Sequence, residues 1–303
     1  MVNNKNLQQL FEEFIKECRF SSGLRPETIR GYSDVFRHFL AIMPEVTNTG
    51  SLTTEMITEF FKRLQTRQRI VGRATIKIGV RKSTIKTYWS KLNSFFEWLV
   101  QNKSLEENPL KKIKPPQQVY EDLQALEDRD IHKILAAITL HSANSLTLRR
   151  DMAMVSLLVF CGLRLGEFIS LEIWDIDLDK QLLTVRGETS KSKKTRYIPM
   201  HPTLVLHIRE YLKERNKKGY KTEFLLVSSK RDERLGRHGL KHWVKRLNVS
   251  SGVKFHLHKF RHTFACNLAK KDVNVFKIQK FLGHTSSNGT EQFHPRALAC
   301  GSF

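Results

Sequence analysis

The sequence predicts a mainly α protein with one small β-sheet, split into an N-terminal helical domain and a C-terminal α+β domain. Apolar residues recur at helical spacing over four segments before Asn102. A basic, proline-containing stretch then breaks the pattern: Asn108-Pro109, followed by Lys111-Lys112-Ile113-Lys114-Pro115-Pro116. Beyond it, helical patterns resume and are interrupted by short strand-like runs. A chain of 303 residues has room for about two domains. The expected organisation is a helical domain over 1–110, a stiff linker over 111–122 and a second domain over 123–303.

In the first domain, Leu7, Leu10, Phe11, Phe14, Ile15 and Cys18 mark one amphipathic helix over 6–18. Pro26 and Thr28 open a second helix, with Ile29, Tyr32, Phe36, Phe39 and Leu40 on its buried face. Thr53 or Thr54 caps a third, which carries Ile57, Phe60, Phe61 and Leu64. Ser83 caps a fourth, which carries Ile85, Tyr88 or Trp89, Leu92, Phe95, Phe96 and Leu99. Aromatic stripes at this spacing are core.

Between the third and fourth helices the composition changes. No acidic residue occurs from Phe61 to Phe96, while Lys62, Arg63, Arg67, Arg69, Arg73, Lys77, Arg81, Lys82, Lys86 and Lys91 all fall there. Alternation through Thr75–Val80 predicts an extended segment or a hairpin. Ten like charges without a counter-charge repel one another unless something neutralises them, and phosphates would do so. The plainer alternative is a solvated loop. Arg67, Arg69, Arg73, Lys77, Arg81, Lys82 and Lys86 are the candidate nucleic-acid contacts.

The whole chain carries the same bias. Fifty-two Lys and Arg against 30 Asp and Glu give a formal charge of +22, a surplus that favours a polyanion such as DNA over a merely solubilising surface. The basic residues are not confined to one amphipathic segment, which argues against a membrane surface. No apolar run approaches the roughly 20 residues that a bilayer span needs, and the first residues lack the apolar core of a signal peptide. Cys18, Cys161, Cys266 and Cys300 are scattered without a CxxC pair and are expected to be reduced thiols. The expected location is the cytoplasm, at the nucleoid in a bacterium.

The second domain starts at Leu126-Glu127-Asp128-Arg129-Asp130, a capped helix start that runs on through Ile131–Leu140. Met152–Cys161 is apolar nearly all round and therefore a buried helix. It stops at Cys161-Gly162-Leu163-Arg164-Leu165-Gly166-Glu167. An arginine at a break between buried helices needs an anionic partner: either Glu167, as a structural ion pair, or a ligand. Leu182–Val185 and Arg196–Pro199 read as strands, with Lys191, Lys193 and Lys194 in the turn between them. Thr203–Glu214 is helical, Phe224–Val227 a short strand and Arg237–Leu247 a basic helix. His258 and Arg261 then leave one face of a helix, an arrangement that suits a phosphate. An apolar helix ends at Leu282-Gly283-His284. His256, His258 and His262 could suggest zinc, but Arg261 among them repels a cation and no cysteine or carboxylate has ligand spacing nearby. No metal and no cofactor is expected.

Taken in order, Arg164 in its Gly-Leu-Arg-Leu-Gly-Glu turn, Lys191 in a hairpin, His258-x-x-Arg261, Leu-Gly-His284 and position 293 resemble the tyrosine recombinase (phage integrase) family. The resemblance covers the whole chain, because the N-terminal helices look like that family's core-binding, SAM-like domain, and the second domain like its catalytic domain. It implies a site-specific recombinase that cuts DNA through a 3′-phosphotyrosine link and passes through a Holliday junction. Such enzymes integrate or excise mobile elements or resolve chromosome dimers, and work as tetramers on double-stranded DNA recombination sites. By the resemblance, Arg164 and Arg261 clamp the scissile phosphate, His258 helps hold it and moves a proton, and His284 donates a further hydrogen bond. Lys191, chosen over Lys193 and Lys194 by counting back from Arg196 and Pro199, protonates the leaving 5′ oxygen. Glu167 orients Arg164 from behind. The family nucleophile is a tyrosine nine residues after the second histidine, and here that residue is Phe293. All six tyrosines lie at or before Tyr220. The expectation is a chain that binds DNA but cannot cut it. A Tyr-to-Phe change that traps a complex is the simpler origin, a naturally inactive relative the other. Two further activities stay open: a topoisomerase of the same chemistry and a non-catalytic DNA-binding regulator that kept the fold.

Overall fold

The computed structural model describes residues 6–72, 74–115, 117, 124–190, 193–229 and 231–283. The chain forms two compact units, Met1–Glu121 and Asp122–Phe303. It is mainly helical with small sheets, as the sequence predicts. Among the described residues no helix is long and apolar enough to cross a membrane.

In the first unit, α1 (Leu7–Phe20) begins at Asn6, whose Oδ1 accepts from the N–H groups of Gln8 and Gln9. Helix α2 (Pro26–Ile42) starts on a proline, which gives up only an N–H that has no helical partner anyway. For α3 (Thr54–Thr66) the cap is Thr53, whose Oγ1 accepts from Met56 N–H at 3.3 Å. Helix α4 (Lys82–Gln101) closes the bundle. The aromatic stripes meet in its centre: Phe11 and Phe36 stack at 3.8 Å between ring centroids, and Phe95 stands edge-on to both. Each such ring pair adds about 0.5–1.5 kcal/mol beyond its buried area.

Between α3 and α4 lies an antiparallel hairpin of β1 (Gln68–Val71) and β2 (Thr75–Ile78), with Arg69 opposite Lys77 and Ile70 opposite Ile76. Gly79 ends it at φ +64°, its N–H bonded to Arg67 O, and a Cβ there would lie 2.3 Å from Gln65 O. This handover corrects the expected start of the fourth helix. The cap position is Arg81, not Ser83, because the chain leaves Gly79 already aimed into α4 and the first helical N–H groups bond to Arg81 O.

The second unit is built around α6 (Ser145–Cys161), which packs on α8 (Pro202–Lys217) and α10 (Leu257–Lys270). Helix α5 (Asp128–His141) contacts α6 and α9 (Arg237–Ser251). A three-stranded antiparallel sheet runs in the order β3 (Ile176–Asp177), β4 (Leu182–Val185), β5 (Arg196–Pro199), with Thr184 opposite Tyr197. The expected strand at Phe224–Val227 is not one: only single bridges form, Glu172 to Phe224 and Val227 to Arg234. Side chains have taken three of its carbonyls, and the fourth, Leu226 O, accepts from Leu235 N–H. Tyr211 Oη donates to Leu225 O, Arg150 Nη1 to Val227 O and Arg215 Nη2 to Phe224 O, so no ladder can extend.

Gly162 ends α6 in the left-handed region at φ +55°, and a Cβ there would stand 2.3 Å from Phe264 Cδ1. We expect Gly162→Ala to destabilise the protein by about 2–4 kcal/mol, backbone strain and steric overlap together. Gly219 has φ +71° and open space around its Cβ position, so Gly219→Ala should cost only about 1–2 kcal/mol. Urea unfolding of both variants checks this, and equal losses would mean that Phe264 simply moves aside.

Candidate functional site

The site grows from the break after α6. Gly162 turns the chain, and Arg164 becomes the cap residue of a short helix, α7 (Leu165–Ile169). That places Glu167 at the third helical position, where its Oε2 accepts from Arg164 N–H at 2.9 Å and its Oε1 from Arg164 Nη1 at 3.0 Å. Glu167 is only 1% exposed. It accepts three more bonds: Arg196 Nη1 at 3.0 Å, Arg196 Nη2 at 2.7 Å and Ser190 Oγ at 3.2 Å. Burial alone would raise its pKa. The bonds and charge of Arg196, then those of Arg164, overcome this and bring it down to about 2.

The second half of the site comes from α10 and α11 (Val275–Leu282). His256 caps α10 through Nδ1, which accepts from Lys259 N–H. His258 and Arg261 follow one turn apart on one face. Arg261 is 5% exposed, and its bonds run to carbonyls: Nη1 to Gly162 O at 2.8 Å and Nη2 to Leu282 O at 2.6 Å. The end of α11 exposes carbonyls that the helix cannot satisfy. Three guanidiniums take three in a row: Arg196 bonds to Phe281 O at 2.7 Å, Arg261 to Leu282 O and Arg164 to Gly283 O at 2.8 Å. Gly283 is at φ +63°, and a Cβ there would stand 3.1 Å from Arg196 Nη1 and 3.4 Å from Arg164 Nη1. Glycine suits this positive φ and spares Arg196 the small shift that a side chain would force.

The charge here is unbalanced. Three guanidiniums gather about the single carboxylate of Glu167, which pairs with two of them. Desolvation, and then the charge of Arg164, bring the Arg261 pKa down to about 9. The His258 ring, though exposed at the surface, is held below the ordinary imidazole value by partial desolvation, then by Arg261, His256 and Arg164.

Arg164, Glu167, His258 and Arg261 thus gather around one point. Lys191, His284, Phe293 and Arg73 lie outside the described residues. Ser190, next to Lys191, is fully buried on Glu167. Arg196 and Ser190 went unread in the sequence. The signal for Arg196 was present: alternation along β5 puts it on the inner face with Ile198, and a buried arginine requires an acid. Among the described residues no group of three or more His, Cys, Asp or Glu could hold a metal. His262 instead lies 3.4 Å from Cys266 Sγ.

Arg67, Arg69, Lys77, Arg81, Lys82 and Lys86 belong to the first unit, in and beside the hairpin. The expectation that the basic run lacks counter-charges needs correcting at three places. Lys62 and Arg63 pair with Glu59, Arg63 also pairs with Glu45, and Lys91 Nζ sits 3.8 Å from the Tyr32 ring centroid. Among the described residues, no ion pair answers Arg67, Arg69, Lys77, Arg81 or Lys82. Arg69 Nε donates to Gly79 O at 2.7 Å.

Because the Glu167 pKa lies below that of an unfolded glutamate, its stabilising contribution is complete above about pH 4.5 and is lost as the pH falls toward 2. The window corresponds to about 3 kcal/mol. Glu167→Gln should remove this acid limb from a profile of stability against pH. At pH 7 it should cost about 3–5 kcal/mol, since buried guanidiniums lose their anion. Identical acid limbs in the two proteins would refute the assignment.

Comparison with known proteins places this geometry in context. The phage integrase family pattern matches residues 124–296, and that of the phage integrase N-terminal SAM-like domain matches residues 10–106. The chain is 28% identical to a tyrosine recombinase of Thermosipho africanus (strain TCF52B), over 93% of this chain and 92% of that protein. It is 27% identical to tyrosine recombinase XerC of Bacillus subtilis (strain 168), over 96% and 92%. Its fold is similar to a lambda integrase tetramer bound to a Holliday junction, at 20% identity and TM-score 0.72, covering 96% of this chain and 78% of that one. It is also similar to a Tn1549 transposon integrase bearing a Tyr-to-Phe substitution, in complex with transposon right end DNA. That match has 20% identity and TM-score 0.73, covering 95% and 94%.

Proposed function

The chain belongs to the phage integrase family, and we propose that it is a site-specific DNA recombinase of the tyrosine type whose cutting step is lost at Phe293. The observation that carries the reading is the surplus of guanidinium over carboxylate at the end of α11, with His258 beside it. A DNA phosphate supplies the missing negative charge. Arg164 and Arg261 hold its non-bridging oxygens and stabilise the charge that builds on them as phosphorus becomes five-coordinate. His258 hydrogen-bonds the phosphate and moves a proton, and His284 donates another bond. Lys191 protonates the departing 5′ oxygen. Glu167 holds Arg164 in place.

In a chain with tyrosine at position 293, the phenolic oxygen would attack phosphorus, the bond to the 5′ oxygen would break, and a 3′-phosphotyrosine would remain. Phe293 has no oxygen to offer. Residues 1–110 act as the core-binding domain, 111–122 as the linker and 123–303 as the catalytic domain. Four copies would join two double-stranded sites and exchange strands through a Holliday junction. The cations Arg67, Arg69, Arg73, Lys77, Arg81, Lys82 and Lys86 contact the DNA backbone. One observation favours a second reading: Phe293 itself suits a non-catalytic regulator that kept the fold.

The test is an adduct assay. Fragmented DNA of the source replicon is mixed with this chain and with Phe293→Tyr, denatured in detergent and searched for DNA-linked protein. The tyrosine variant should form an adduct and this chain none. Further replacement of Arg164 or Arg261 in that variant should slow the reaction about 10²–10³-fold. An adduct formed by this chain would overturn the assignment of the nucleophile. Absence of adduct with tyrosine restored would favour the regulator.

DNA retention should fall steeply with salt. Replacing Arg67, Arg69, Lys77 and Arg81 with glutamine should lower the slope of log affinity against log salt by about one per cation that contacts phosphate. An unchanged slope would assign the hairpin to another task.

A further inference from the structure

We infer that Arg196 is a positioning residue for the phosphate site, holding Arg164 and the Leu282–Gly283 turn in fixed relation to each other. The inference rests on the reading that this arginine cluster receives a DNA phosphate. Arg196 lies on the inner face of β5, 5% exposed. All its bonded donors face inward. Nη1 and Nη2 reach the two oxygens of Glu167 at 3.0 and 2.7 Å, and Nε reaches Phe281 O at 2.7 Å. One planar guanidinium therefore ties the carboxylate that aims Arg164 to the carbonyl just before the turn toward position 284. That is a fork only arginine offers, because a lysine brings one point charge and cannot bond both oxygens and the carbonyl in a fixed plane.

The geometry separates Arg196 from Arg164 and His258, which keep exposure where Arg196 is enclosed. Arg261 is equally enclosed, and Arg196 differs from it in committing two nitrogens to both oxygens of Glu167 as well as one to a carbonyl. It acts through Glu167 and through the end of α11. Without Arg196, Glu167 would lose its strongest partner, Arg164 would share a less firmly held carboxylate, and Phe281 O would lose its donor. The neighbouring carbonyls of Leu282 and Gly283, which Arg261 and Arg164 hold, would shift with it.

The experiment compares Arg196→Lys, Arg196→Gln and Arg196→Ala, each made in this chain and in the Phe293→Tyr variant. Three quantities are read: affinity for inorganic phosphate by calorimetry, amide exchange at Leu282 and Gly283, and adduct formation in the Phe293→Tyr background. DNA retention at low salt and the melting temperature serve as controls. Arg196→Gln should weaken phosphate binding and slow adduct formation about 10–100-fold, the range typical when the partner behind a functional ligand is removed. DNA retention should stay within about twofold, since the first unit's cations carry it. Arg196→Lys should fall between, and free guanidinium at non-denaturing concentration should restore part of the loss in Arg196→Ala.

Failure of the tyrosine-restored protein to form any adduct would count against the recombinase reading alone, because phosphate affinity and amide exchange still report on Arg196. Unchanged phosphate affinity and exchange in Arg196→Gln would overturn the inference. Losses that track the melting temperature in both the Lys and Gln variants, with no rescue by guanidinium, would also overturn it by showing a purely structural role.

Discussion

The second unit depends on one carboxylate. Glu167 is buried, and an unpaired charge there would cost several kcal/mol. Five hydrogen bonds from Arg164, Arg196 and Ser190 make it tolerable. Those donors come from the α6–α7 break, from β5 and from the loop after β4, so a single side chain fixes three separate stretches of chain. A buried ion pair is weak evidence for net stability, since an apolar replacement can be as stable. Its value here lies in specificity of placement. Further donors of the same guanidiniums bond to the carbonyls of Phe281, Leu282 and Gly283, which holds the groups in place. The negative end of the α11 dipole adds to the same grip.

Much of this was legible in the sequence, and the reasons for what was not are physical. Helix periodicity worked where a core had to be filled: Phe11, Phe36, Phe60 and Phe95 are all buried as the spacing predicts. The His258–Arg261 pair follows from helical spacing, and the Arg164–Glu167 pair from a buried arginine's need for an acid at the break before α7. Strand reading failed at Phe224–Val227, because tertiary donors such as Arg150 and Tyr211 took the carbonyls that a ladder would need. Such donors lie far along the chain, and no local pattern announces them. The Ser83 cap failed for a related reason, since the tight Gly79 turn decides where α4 begins. Arg196 is the instructive omission. Alternation gave its face and burial its need for an acid, but only the fold brings β5 to Glu167.

The first unit divides its charge and its apolar surface differently. Its aromatic core needs no cations, and the fold handles three members of the basic run internally through Glu45, Glu59 and the Tyr32 ring. The hairpin is less comfortable. Arg69 faces Lys77 across the strands, and like charges directly opposite are unfavourable. Ile70, Ile76 and Ile78 meanwhile stand mostly in solvent. A two-stranded ribbon of this kind is marginal by itself. Its anchorage is local, through Gly79 N–H to Arg67 O and Arg69 Nε to Gly79 O. An approaching polyanion would relieve the charge conflict, so the ribbon gains from binding what a neutral ribbon would not.

These features separate holding a phosphate from cutting beside it. The guanidinium grip described here is complete by Gly283, ten residues before position 293. Its electrostatics are set by Glu167, Arg196 and the α11 carbonyls, none of which needs a hydroxyl at that position. In the recombinase reading proposed above, phenylalanine at position 293 would remove the attacking group and leave this charge arrangement in place. If the site receives a phosphate as proposed, it would do so with or without a nucleophile, because the arginines are already held close to one another. By the same logic, the cost of assembling three like charges has already been met during folding.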